Sequence, residues 1–286
     1  MEKASISQLT AIASQVRRDI IRMTTAAGSG HPGGSLSCAD FLTALFFEVL
    51  HHNPKTWSRD GAGSDMFFLS IGHVSPVYYS ILARSGYFDP AELTTFRQLG
   101  SRLQGHPSVE HQLPGIHVAT GSLGQGLSVA VGAALSKKLN GDPNYVYALI
   151  GDGESQEGQI WEAALFAAHH KVDNLIVITD WNGQQIDGAV DGVGGLGNLL
   201  QKWNSFCWET LVVPGHDMLE IVDGFSRAKA MSNKGKPVMM LMKTEMGHGV
   251  DFMAGTHEWH GKTPNAAQAA CALSQLPQTL GDYGGL

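Results

Sequence analysis

Two short stretches carry residue types able to do chemistry at one place. Gly151-Asp152-Gly153 directly follows the apolar run 145–150, and Asp180-Trp181-Asn182 directly follows the apolar run 174–179. Residues 157–170 between them have helical spacing, so the pattern is a strand, helix, strand unit whose two strands lie side by side. In an open parallel sheet, ligands gather beyond the carboxyl ends of the strands. Asp152 and Asn182 can therefore converge although they are far apart in sequence. One carboxylate and one amide oxygen make a hard donor set, suited to Mg²⁺ or Ca²⁺ and not to zinc. Gly153 lets backbone come close to a phosphate, and the amides opening the next helix point the same way. The pair reads as a metal-diphosphate cradle, whereas either stretch alone would be an ordinary turn.

Gly121-Ser122-Leu123-Gly124-Gln125-Gly126, ahead of the small-residue helix 127–135, is a second, weaker phosphate cradle. Gly192, Gly194 and Gly197 spell G-x-G-x-x-G, but no strand precedes them, so the dinucleotide reading fails and a flexible loop is expected. Of the 13 histidines, His31, His73, His106, His257 and His260 stand beside Gly or Pro in loops. Imidazoles so placed can donate to phosphate or hydroxyl oxygens and move protons near neutral pH. The His257 to His260 spacing lacks further ligands for zinc.

These residues need elements to hold them. Apolar spacing predicts helices over 5–25, 39–50, 76–86, 157–170, 218–231 and 266–276, and strands over 66–69, 145–150, 174–179 and 237–242. Residues 100–121 have no period. The alternation implies an α/β fold, a mostly parallel sheet flanked by helices on both faces. Residues 281–286 read as a frayed tail.

Composition limits the rest. The chain has 286 residues, 43% hydrophobic and 16% charged, with 19 Lys+Arg against 26 Asp+Glu and a net charge of -7. Such a balance excludes a nucleic-acid or anionic-membrane surface, which needs clustered cations. Three scattered cysteines form neither a metal pair nor a disulfide framework, and residues 1–8 lack a signal pattern, so a cytoplasmic protein is expected.

The chain resembles the N-terminal half of transketolase. The stretches that carry the likeness run through nearly all of it: Gly28 to Gly34, Leu69 to His73, Phe96 to Leu99, Gly105 to Pro107, Thr120 to Gly126, Gly151 to Gly158, Ile186 to Gly188, Gly215 to Asp217, Lys243-Thr244 and Gly255 to His257. The resemblance implies thiamine diphosphate with Mg²⁺ (or Ca²⁺) held by Asp152, Asn182 and the carbonyl of Gln184. It implies that His73, Gly153 and His257 contact the diphosphate, that Gly121, Ser122 and Leu123 touch the cofactor, and that His31 and His106 face the sugar, with His257 also catalytic. The sequence departs from the family at Ile71, Val74, Ser122 and Trp181, which leaves the metal ligands intact and alters the funnel beside His73.

A full-length transketolase continues into a pyrimidine-binding domain and a third domain. Residues 1–286 are instead expected to be one diphosphate-binding domain with a tail, the N-terminal subunit of a split transketolase. Its partners would be a C-terminal subunit carrying the pyrimidine-binding domain and a second copy of itself, in an α2β2 assembly. The implied reaction moves a two-carbon ketol unit from a ketose, often phosphorylated, to an aldose. Trp161, Phe166, Trp203 and Trp208 are candidates for the partner face, core packing being the competing role. The alternatives are the α subunit of a 2-oxo acid dehydrogenase, deoxyxylulose-phosphate synthase, and a non-catalytic diphosphate-binding assembly subunit.

Overall fold

Alternating apolar strands that bury both faces need helices on both sides, and the chain supplies them. The computed structural model describes residues 4–284; residues 1–3 and 285–286, parts of the opening segment and of the tail read above, lie outside the described residues. Five parallel strands form the sheet, in the order β1 (Met66–Leu69), β2 (Val146–Gly151), β3 (Leu175–Trp181), β7 (Val238–Lys243) and β6 (Glu209–Pro214). A two-stranded antiparallel ribbon, β4 (Gln184–Gln185) with β5 (Gly188–Ala189), follows β3.

Side chains alternate across the strands, so two cores form. Phe67, Leu69, Tyr147, Leu149, Ile176, Ile178, Met240 and Met242 pack with α1 (Ile6–Ala27), α2 (Pro32–Ala44), α3 (Ser75–Arg84), α8 (Met218–Met231) and α9 (Ala266–Gln275). Phe68, Ala148, Ile150, Leu175, Val177, Met239 and Leu241 pack with α4 (Gln125–Leu139), α5 (Gly158–His169) and α7 (Leu199–Ser205). Trp203 and Trp208 lie in this second core, so of the four aromatics offered for a partner face only Phe166 is exposed, with Trp161 half-buried.

The expected strands stand within a residue or so of their predicted places, and most helices do as well. Three segments differ. Helix α2 begins at Pro32, seven residues before the predicted start, because Pro at the first helical position suits the missing N–H; Gly33 lets its first turn pack closely, since a Cβ there would stand 2.8 Å from the Trp259 carbonyl oxygen. The stretch read as a flexible loop holds a short helix, α6 (Val190–Gly194). The described part of the tail, residues 281–284, is docked: the Arg18 guanidinium pairs with Asp282 at 2.6 Å, Arg22 reaches the same carboxylate at 3.5 Å, and Tyr283 is buried. Among the described residues no helix is long and apolar enough to cross a membrane.

Candidate functional site

The carboxyl ends of β1, β2 and β3 open into one cleft of about 360 Å³. Register sets its floor, since Gly151 of β2 pairs with Asp180 of β3. Beyond that pair, Asp152 Oδ2 accepts the N–H of Gly183 at 2.6 Å and Oδ1 accepts that of Gly153 at 2.7 Å. The convergence of Asp152 with the Asn182 turn is thus a direct product of the β2, α5, β3 unit.

Asp180 lies behind them, buried, and orders the donors. It accepts hydrogen bonds from Ser37 Oγ at 2.6 Å, Thr244 Oγ1 at 2.5 Å and Asn182 Nδ2 at 2.8 Å. Because the amide nitrogen of Asn182 is committed to Asp180, its Oδ1 faces the turn and accepts the N–H of Gln184 at 2.9 Å. An oxygen is the atom a hard cation requires. Burial, and then the nearby Asp180, pushes the Asp152 carboxyl up to about 7, because two buried carboxylates so close together resist both being charged.

Four histidines gather at the opposite wall. The His31 ring stands 5.2 Å from His73, 5.6 Å from His260 and 6.2 Å from His106, and His73 stands 5.0 Å from His260. Burial, followed by the charges His260, Arg97 and His106 would carry, lowers His31 to about 4. Burial likewise holds His73 well below its ordinary value, and it lowers His260 and His106. All four are therefore neutral at pH 7, each able to donate at one ring nitrogen and accept at the other. His31 Nδ1 and His260 Nδ1 are buried and have no hydrogen-bond partner.

Of the residues predicted for the site, His31, His73, Gly121, Leu123, Asp152, Gly153, Asn182 and Gln184 line this cleft. His106 borders it, exposed, with its ring against Gly121. Two predicted residues stand off the cleft lining. His257 is exposed and lies off the cleft wall, because the short turn His257–Trp259 sends the buried Trp259 inward and brings the next residue, His260, against His31 and His73. Ser122 is exposed at the tip of a turn whose flanking residues Gly121 and Leu123 supply the wall. The signal for His260 was present in the sequence as the second His of the Gly255 to Gly261 stretch, and a turn of three residues decides which of the two faces inward.

Other lining residues had no role in the sequence reading: Glu154, Gln156, Glu157, Asp180, Gln185, Asp187 and Met246. The departures Ile71 and Val74 do line the cleft, as buried apolar walls. Trp181 lies outside it, with the Lys243 ammonium over its ring at 5.1 Å. Among the described lining residues five are carboxylates and none is Lys or Arg.

Comparison with known proteins agrees with this architecture. The family model of the transketolase thiamine diphosphate binding domain matches residues 9–279. The chain is 38% identical over 273 residues to an apulose-4-phosphate transketolase subunit of Actinobacillus succinogenes, covering 95% of this chain and 97% of that protein. It is 39% identical to a 6-deoxy-6-sulfo-D-fructose transketolase subunit of Clostridium sp. strain MSTE9, covering 92% of this chain and 94% of that one. The transketolase structure from Campylobacter jejuni superposes with a TM-score of 0.87 at 34% identity over 96% of this chain, which spans 43% of the length of that protein.

Proposed function

The chain belongs to the transketolase family, and on that premise we propose that it is the diphosphate-binding subunit of a two-chain transketolase. The observation that carries the two-chain reading is coverage: the chain matches 97% of a protein whose own name makes it one subunit of a transketolase, but only 43% of a solved transketolase. The partner is then a chain bearing the pyrimidine-binding domain, and two-fold symmetry makes the assembly α2β2. Net charge and cysteine usage support a cytoplasmic setting.

The residues present fit thiamine diphosphate with a divalent cation. Asp152, Asn182 Oδ1 and the carbonyl of Gln184 supply oxygen donors for Mg²⁺. Five carboxylates and no Lys or Arg would repel a bare diphosphate, so the cation must neutralise it. Gly153 keeps that wall open, since a Cβ there would stand 3.2 Å from the Gln185 Cβ. The unpaired Nδ1 atoms of His31 and His260 are left to meet ligand oxygens.

When bound, thiamine diphosphate supplies the electron sink for breaking and forming the carbon–carbon bond of the ketol unit. The chain's own residues do the rest. His73 and His260, neutral and half-buried, donate to anionic oxygen without adding charge. His31 and His106 face the side from which a sugar would enter, and a neutral imidazole there can take a hydroxyl proton at one nitrogen while donating from the other. Ile71, Val74 and Met246, all buried, keep water from that wall.

Calorimetry with thiamine diphosphate and Mg²⁺ tests the site. Asp152→Ala is expected to abolish Mg²⁺-dependent binding, because this carboxylate would hold the cation that offsets the diphosphate charge. Wild-type affinity in that variant would refute the metal assignment.

A further inference from the structure

Glu154 lies where three walls of the cleft meet, and no step of ketol transfer gives it a chemical task. Its side chain is buried, with 2% exposure. Oε1 accepts the hydroxyl of Ser70 and the N–H of Gly124, the latter at 2.7 Å, while Oε2 accepts the N–H of Gly151 at 3.0 Å. Each donor belongs to a different wall. Ser70 follows β1 and leads into Ile71 and His73. Gly124 ends the turn that holds Gly121 and Leu123 and caps α4, with φ 83°. Gly151 ends β2, directly before Asp152 and Gly153.

All three donors are neutral, so no cation offsets the cost of burying this charge, which is worth several kcal/mol unless hydrogen bonds repay it. A serine or an apolar residue could fill the space more cheaply, but neither could accept from three donors on three segments. A carboxylate has about four acceptor sites, enough for all three donors.

We infer that Glu154 is a positioning residue that sets the β1, α4 and β2 ends in register around the diphosphate. This rests on the cofactor reading above. In Glu154→Gln the amide nitrogen must face either Gly151 N–H or Gly124 N–H, so one backbone donor always opposes another donor. The three walls then lose their common anchor.

The test is calorimetric titration of thiamine diphosphate, at saturating Mg²⁺, into this chain together with its partner subunit, with thermal unfolding of each variant measured in parallel. Glu154→Gln should raise the cofactor dissociation constant roughly tenfold or more, the scale expected of a buried donor left unpaired. Turnover at saturating cofactor should fall by a smaller factor than affinity does, since the interactions lost are common to ground and transition states. Asp65→Asn is the control. Asp65 is comparably buried, at 6% exposure, and accepts from His51 N–H at 2.8 Å and Tyr145 N–H at 2.7 Å at the opposite ends of the same two strands. It should lower the unfolding temperature yet leave cofactor affinity within about twofold, because the defect lies far from the cleft.

Unchanged affinity in folded Glu154→Gln would overturn the inference, as would an equal loss of affinity in Asp65→Asn. If Glu154→Gln does not fold, Ser70→Ala removes one donor only; a smaller rise in the dissociation constant supports the inference and an unchanged one overturns it. Absence of Mg²⁺-dependent binding in the wild type would instead refute the cofactor reading itself.

Discussion

At the scale of single residues, the histidine wall is where side-chain type and side-chain direction part company. Residue type marked five loop histidines, yet His257 and His260 are three positions apart on one short turn and face opposite ways. His260→Ala is expected to lower cofactor affinity and turnover by roughly tenfold, the scale of one buried hydrogen bond lost to an anionic oxygen. His257→Ala should leave both within about twofold, as surface substitutions usually do. Steady-state kinetics on the two variants decides this, and the reverse ranking would restore His257 to the site. The approach of Asp152 to the Asn182 turn was more legible, because their positions follow from strand ends. Gly151, Asp152 and Asn182 stand one βαβ unit apart, and strand periodicity fixes where a strand ends better than any pattern fixes the facing of a loop. Asp180 stood in its motif without a role for the same reason that it works: it is the last buried residue of an apolar strand, and its role depends on Ser37 and Thr244, which come from distant parts of the chain.

At the scale of elements, the cleft depends on how closely α4 approaches β1. A Cβ on Gly126 would come within 2.6 Å of the Ser70 Cα, a backbone atom that cannot swing aside. Gly126→Ala should therefore push α4 from the sheet and cost about 1–3 kcal/mol, as overpacking does. Gly132→Ala, on the same helix where an added Cβ meets nothing within 4 Å, should stabilise by about 0.5–1 kcal/mol through lower backbone entropy in the unfolded chain. Thermal unfolding of the two variants should move in opposite directions, and a shared direction would show that the helix propensity, not the approach to β1, governs the site. A second element contact braces the loop that leads to His260. Asp40, His216 and His248 bring possible ligand atoms within 4.8 Å, but His216 Nε2 accepts the N–H of Glu245 at 2.9 Å, so its Nδ1 carries the proton given to Asp40 at 2.9 Å. Asp40 also pairs with Arg17. The trio is thus a strut tying the strand ends of β6 and β7 to α1 and α2, with no lone pair of His216 left for a metal. Helix α7 and edge strand β6 went unread in the sequence because β6 is half-buried along most of its length and so lacks the continuous apolar run that marked the central strands.

At the scale of the whole molecule, the cleft is walled on the side of the sheet and unfinished on the other. Leu123 and Ile186 both line it, yet they are 37% and 59% exposed. Other apolar side chains are exposed as well: Val129 on α4, Leu165 and Phe166 on α5, and Val193 on α6. Sites for small ligands commonly bury 70–90% of the ligand, and a rim of solvent-facing Leu and Ile cannot do so alone. Apolar surface of this kind is covered in a working assembly at a gain of roughly 25 cal/mol per Å². The expected outcome follows from both facts. This chain by itself should bind thiamine diphosphate weakly and show no ketol transfer, and mixing it with a chain that carries the pyrimidine-binding domain should restore turnover together with a mass of two copies of each. Light scattering and a coupled ketol-transfer assay, each run with and without that second chain, measure the two halves of the expectation. Phe166→Glu, which puts charge on the α5 face away from the lining residues, should weaken assembly while leaving the turnover of whatever complex remains nearly unchanged, because charge at an apolar interface core costs association and not chemistry. Full turnover from this chain alone would overturn the two-chain reading, and with it the claim that the exposed rim of the cleft is one half of a closed site.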